Sequence, residues 1–351
     1  MSLTRRGTAT LATMTSLLLI AGGTIGYFVL FPDRAPAIVR TTLRTVGLVE
    51  QAPPAPPPVC PLTGQPAPEG LVPDRPAVAV KIENFPDARP QAGLQSANVV
   101  FEEPVEGGIT RFIAIYHCDD DPRVGPVRSV RTTDPEVLTQ LGQPILAYSG
   151  GAPNVVRVVQ QANLVALDED TGGTAFTRDQ SRLAPHNLYA NTRELYAVAR
   201  STEGPPAPIF TYAEDLVLPS RSVSSVHLPF SATYADVWWS WSRKAGQWLR
   251  AHGDDPHVVE TGGPVSADNV LVQVVEVLNG PLGGITPDLE LTGSGKAYVF
   301  RDGRMIVGRW ERASLDDVTR FVAKDGTQIP LAPGRTWVEL LPSTAIIETS
   351  R

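Results

Sequence analysis

Histidine and cysteine are scarce in this chain, at five and two residues among 351. So few soft ligands argue against a structural zinc site, because no histidines stand at the spacing such a site needs, and no metal ligand set is assigned. No G-x-S-x-G, H-E-x-x-H or P-loop occurs, which removes the enzyme classes those motifs build. A surplus of positive charge is missing too: lysine and arginine number 30 against 37 aspartates and glutamates, a net charge of −7. A general nucleic-acid binder needs a basic face to offset phosphate, so no nucleic-acid partner is expected. Long apolar runs are absent with one exception.

That exception is "LATMTSLLLIAGGTIGYFVLF" at 11–31, close to the ~20 residues that span a bilayer as a helix. A cleaved signal peptide has a shorter apolar region of ~7–15 residues. Its one candidate cleavage site here, "APA" at 35–37, carries a proline. An uncleaved signal anchor is therefore expected over 1–31, cytoplasmic tip included. Arg5 and Arg6 ahead of the run favour a cytoplasmic N-terminus, although Arg34, Arg40 and Arg44 beyond it weaken the bias. The expectation is a single-pass plasma-membrane protein, attached by this one helix, with its bulk extracytoplasmic. Residues 32–59 read as a juxtamembrane and proline-rich linker. Within it "QAPPAPPPV" (51–59) favours extended polyproline II and acts as a semi-rigid spacer. Cys60 and Cys118 fit an oxidising compartment as a disulfide, with two unrelated buried thiols as the alternative. "PPVC" is no lipobox, so Cys60 is not read as a lipid anchor.

From 60 to 204 strands alternate with helices. "PAVAVKI" (76–82), "ANVVFEE" (97–103) and "TRFIAIYH" (110–117) read as strands. Asp134 reads as an N-cap followed by Pro135. "QPILAYS" (143–149) runs through "GGAP" into a helix with Val155, Val158, Val159 and Ala162 on one face. Asn191 with Glu194 resembles a capping box opening another helix. The region is expected to be an α/β domain. After a linker at 201–208 the composition shifts. "DVWWSWS", "NVLVQVVEV" and "TWVEL" are strand-like, and "RDGR" (301–304) and "KDGT" (324–327) are Asp-Gly hairpin signals. Residues 205–351 are expected to form a smaller, mostly-β C-terminal domain with its six tryptophans largely in the core.

Charged residues collect beside glycines in the first domain. "RVGPVRSVRTTDPE" (123–136) places Arg123, Arg128 and Arg131 around a Gly-Pro corner, where they repel one another unless an anion sits among them. Nearby stretches supply Glu83, Asn84, Arg89, Glu103, Glu106, Arg111, Arg182 and His186. Ser149, Gly150 and Gly151 precede a helix N-terminus, which offers free amides and partial positive charge to an anion. α/β sheets bind ligands near strand ends. These residues are therefore candidates for an anion site, and a network of arginine–carboxylate pairs that merely fixes loops is the competing explanation. "HCDDDP" (117–122) lacks the ligand spacing of a calcium loop. "HGDDPH" (252–257) reads as a hairpin loop. No catalytic residue is assigned, and His186 has no evident nucleophile beside it.

"CPLTG" (60–64), "RPAVAVKIEN" (75–84), "ARPQAGLQSANVVFEEPVEGGITRF" (88–112), "GPVRSVR" (125–131), "APHNLY" (184–189), "DGRMIVGRWERAS" (302–314) and "LAPGRTWVEL" (331–340) resemble the YerB-like lipoprotein family, across most of 60–341. The resemblance implies an extracytoplasmic, membrane-tethered protein with an N-terminal unit and a smaller β-rich C-terminal unit, and it carries no activity to transfer. Here a spanning helix stands in place of the lipid anchor. The order of strands, Pro-x-Arg corner and "AYSGGAPNVVRVV" is also similar to the LytR-CpsA-Psr phosphotransferases. That likeness implies Arg111, Arg128 and Arg131 on a polyprenyl pyrophosphate and Glu103 on magnesium, but the aspartate motifs of those enzymes have no counterpart. The expected function is binding of an anionic envelope ligand or partner without a cofactor. The phosphotransferase with magnesium is one alternative, and a scaffold recruiting cell-wall enzymes is another.

Overall fold

The computed structural model describes residues 24, 27–31, 34–39, 57–231, 233–279 and 287–351. The chain divides into two compact units, Met1–Pro56 and Pro57–Arg351. In the first, 27–30 and 37–39 are helical. Among the described residues no helix is long and apolar enough to cross a membrane. The expected span at 11–31 lies for the most part outside them, as does most of the linker 32–59.

The second unit is organised by one mixed sheet. Its centre is β2 (Val99–Pro104), β3 (Thr110–Tyr116) and β1 (Val78–Glu83), antiparallel in that order. β4 (Ile145–Ala147) and β5 (Val165–Leu167) continue it in parallel beyond β1. The helix Pro153–Gln161 crosses between them and buries Val155 and Val159, part of the face its periodicity predicts. The β-rich C-terminal half is also present as expected, but six of its strands join the same sheet, Arg221–Ser222 by pairing with Arg304–Arg312. Thr336–Pro342 lies parallel to β2, and Asn269–Val275, Gly293–Arg301, Arg304–Arg312 and Arg320–Val322 follow outward. Asp302 and Gly303, at φ 54° and 65°, make the two-residue turn between Gly293–Arg301 and Arg304–Arg312, the left-handed geometry that Asp-Gly suits.

Successive side chains of β1–β3 point to opposite faces, and both faces are covered. Val80, Val100, Phe112 and Ala114 meet Trp239 and Trp248 of a second sheet, formed around Ser225–Ser231, Ala235–Ser242 and Gln247–His252. Ala79, Phe101, Ile113 and Ile115 meet Val137, Leu138 and Val155 of the helical layer. Trp239, Trp248, Trp310 and Trp337 are buried, while Trp238 and Trp241 are only half-buried. Cys60 and Cys118 form a disulfide that ties the start of the unit to the end of β3.

One expected cap moves. The helix Thr133–Leu138 begins before Asp134, and Thr132, at its N-cap, makes no side-chain cap bond. The Asp134 carboxylate instead accepts from the Arg131 backbone N–H at 2.8 Å and from Lys81. Asn191 caps Thr192–Ala199 as expected, accepting from the N–H groups of Arg193 and Glu194.

Candidate functional site

Strand register assembles the first part of the site. Arg111 on β3 is opposite Glu83 of β1 on one side and Glu103 of β2 on the other. In-register residues share a face, so the three form a charged row across the helical side of the sheet. Lys81 stands two residues before Glu83 on that face. Its ammonium donates to Glu103 Oε1 and, at 2.5 Å, to Asp134 Oδ1. All three side chains are fully buried. Burial raises the pKa of the Glu103 carboxyl, and the Lys81 charge opposes that rise.

The arginine stretch closes over this row. Arg128 Nε donates to Glu83 Oε1 at 3.0 Å, and the other Glu83 oxygen accepts from His186 Nδ1 at 2.8 Å. Arg131 Nε donates to Glu106 Oε2 at 2.9 Å, and its Nη2 donates to Glu106 Oε1. Arg111 Nη1 donates to the Ser129 carbonyl, and its Nη2 lies 4.0 Å from Glu106. Burial lowers the pKa of both Arg111 and Arg131. Ser149 N–H donates to the Arg128 carbonyl, and Gly150 C=O accepts from Val130 N–H. The glycine turn is thus stitched to the arginine segment, with Gly150 at φ 64°. Arg123 pairs elsewhere, with Asp179 and Glu260.

The charges balance: Lys81, Arg111, Arg128 and Arg131 face Glu83, Glu103, Glu106 and Asp134. Two buried atoms remain without a hydrogen-bond partner, Arg111 Nε and Glu103 Oε2. The rim is open, since the side chains of Arg128, His186 and Glu106 keep 25%, 17% and 32% exposure. Fixed cations under an open rim are suited to holding an oxyanion. Among the described residues no group of three or more His, Cys, Asp or Glu side chains could hold a metal ion.

Asn84, Arg89 and Arg182 are not brought into this cluster. Asn84 turns to the opposite face, where its amide donates to Thr110 Oγ1 and to Glu102. Arg89 donates to Asn84 and to the Tyr234 carbonyl, and burial, reinforced by Arg250, lowers its pKa to about 10. Arg182 binds Tyr189, Glu260 and three backbone carbonyls, those of Asp87, Arg89 and Pro90.

Asn84 and Arg89 belong to a second buried cluster that residue patterns alone did not reveal. Arg250 Nη2 donates to both oxygens of Glu102, at 2.8 and 2.7 Å. Arg250 Nη1 donates to His252 Nε2 and His257 Nδ1, both at 2.9 Å. Those contacts require neutral rings, and burial together with the Arg250 charge lowers both histidine pKa values. The "HGDDPH" stretch does turn as a hairpin, yet its histidines face inward. Glu339, in register with Glu102 on the parallel strand, accepts from Trp239 Nε1 at 2.7 Å. Burial and the Glu102 charge hold its pKa well above the usual carboxylate range. A lone lysine in "AVAVKI" and the paired acids of "VVFEEP" were the sequence signals for buried charge on these strands.

The chain matches two family models, the N-terminal domain of a protein of unknown function (DUF3048) over residues 62–204 and the C-terminal domain of the same family over 226–338. It is 29% identical over 298 residues to the Bacillus subtilis (strain 168) protein named "Putative lipoprotein YerB", covering 80% of this chain and 86% of the relative. The crystal structure of the YerB protein from Bacillus subtilis superposes with a TM-score of 0.71 at 26% identity, covering 83% of this chain and 99% of that one. Matched domains, sequence and fold agree, and the chain belongs to the YerB-like family defined by these two domains.

Proposed function

We propose that this protein is a membrane-tethered, extracytoplasmic cell-envelope protein that binds an anionic envelope ligand at the Glu83–Arg128–Arg131 cluster. The tether in this reading is the apolar run 11–31, whose length in sequence matches a bilayer span. The Cys60–Cys118 disulfide suits an oxidising compartment, and the lipoprotein name carried by the Bacillus subtilis relative supports membrane association. The observation that carries ligand binding is the buried, unpartnered Arg111 Nε among cations whose rim reaches solvent. Binding is favoured over phosphotransfer because Glu103, the carboxylate a magnesium ion would need, is fully buried and its charge is already paired with Lys81 through Oε1.

Sedimentation of detergent-solubilised full-length protein with lipid-extracted cell walls tests this reading. The wild type should co-sediment at low salt and be released as salt rises. Arg128→Ala alone should weaken retention, and Arg128→Ala with Arg131→Ala should reduce it tenfold or more. Retention equal to wild type in both variants would refute the site.

A further inference from the structure

Within the cluster Glu106 differs from every other acid. Glu83, Glu103 and Asp134 are buried on strands or a helix, whereas Glu106 sits on a surface turn closed by Val105 N–H donating to the Ile109 carbonyl. Gly107 and Gly108 follow at φ 78° and 70°, a left-handed pair that only glycine adopts without strain. Nothing lies within 4 Å of where a Gly107 Cβ would be. The far side of the turn is fixed, since Ser231 Oγ donates to the Gly108 carbonyl at 2.5 Å. Glu106 is therefore the one acid of the cluster carried on a solvent-facing turn, its side chain 32% exposed.

Its carboxylate meets two guanidiniums that are nearly buried, with side-chain exposures of 7% for Arg111 and 8% for Arg131. Arg131 grips both oxygens side-on through Nε and Nη2, the two-point geometry in which the planar guanidinium recognises carboxylates and phosphates. Without Glu106, the cations Lys81, Arg111, Arg128 and Arg131 would face only Glu83, Glu103 and Asp134, one negative charge short. We propose that Arg111 and Arg131 form the recognition subsite for an oxyanion that presents two oxygens to a guanidinium fork, a carboxylate or a phosphate, which enters by displacing the Glu106 carboxylate. The inference rests on the ligand-binding reading above and adds which arginines take the anion and what they hold without it.

Thermal unfolding of the full-length protein tests it, with sodium acetate or sodium phosphate compared against sodium chloride at equal ionic strength. Glu106→Ala should melt below wild type in chloride. Acetate or phosphate should then raise its midpoint by about 2 °C or more beyond any rise in wild type. Subtracting the wild-type response removes the general stabilising action of excluded salts such as phosphate. Glu106→Gln keeps an acceptor oxygen without charge and should show a smaller rescue of the same kind. It carries the test if the alanine variant does not fold. Rescue by acetate assigns a carboxylate ligand, and rescue by phosphate alone assigns a phosphate. No rescue in either variant, or an equal rise in wild type, overturns the displacement. Wall retention without rescue refutes displacement alone, whereas rescue without wall retention refutes the envelope ligand while leaving the subsite.

Discussion

Adjacent residues Glu102 and Glu103 send one carboxylate to each face of the sheet, and the two faces treat them differently. On the helical face Glu103 lies under Lys81, Asp134 and the arginines, with partners drawn from the N-terminal half and a rim open to solvent. On the other face Glu102 is clamped by Arg250 of the C-terminal half, with both side chains wholly buried. Both clusters satisfy buried acids with fixed cations. They differ in what encloses them, and that difference separates the face proposed to exchange a ligand from a lock joining the two sheets.

The sharpest break of the comparison is Arg250→Ala. It strands Glu102 in the interior and removes the acceptor contacts of two histidines, so the expected cost is ~3–5 kcal/mol. Urea unfolding would measure it, and a loss under ~1 kcal/mol would mean the enclosed cluster is no lock.

Acidification should act through the same enclosed cluster. His252 and His257 are neutral in the folded protein because burial and Arg250 depress their pKa values. The unfolded chain takes up protons at both below the ordinary value of 6.5. The unfolded state then binds more protons, so each ring contributes a loss of ~1.4 kcal/mol of stability per pH unit below that value. His257→Gln should flatten the acid limb by about one such contribution relative to wild type. Unchanged slopes between the two proteins would contradict neutral, Arg250-bound rings.

The open face predicts a milder result. Arg128→Ala removes a guanidinium with 25% exposure, and Glu83 keeps His186 at 2.8 Å. The expected loss is about 1 kcal/mol, between exposed and buried pairs, while wall retention falls. A loss as large as that of Arg250→Ala would erase the distinction between the faces.

How much of this was legible follows from range. β1, β2 and β3 were readable because alternation and β-branched residues are local signals, and Glu83, Arg111 and Arg131 were flagged by charge beside glycines. The pairing of β2 with Thr336–Pro342 was not, since parallel strands joined through a long excursion leave no local pattern. Arg250 gave no local signal, because its partner Glu102 is 148 positions away. Asn84 and Arg89 were grouped with the arginines by proximity in sequence. Strand alternation sends Asn84 and Glu83 to opposite faces, and only coordinates assign each face its partners.

The smallest effect is expected where the enclosed cluster carries one acid more than it can keep charged. Glu339 and Glu102 are in-register neighbours, and Glu339 Oε2 has no hydrogen-bond donor. A proton on Glu339 resolves both the repulsion and the missing partner, because the acid then donates toward Glu102 while Oε1 still accepts from Trp239. Glutamine reproduces that arrangement with an N–H in place of the O–H. Glu339→Gln should therefore change stability by less than ~1 kcal/mol at neutral pH. Glu102→Gln, which takes the charge from beneath Arg250, should cost several times more. If Glu339→Gln were instead the more damaging of the two, Glu339 would be the ionised partner of Arg250, and the roles of these two acids would exchange.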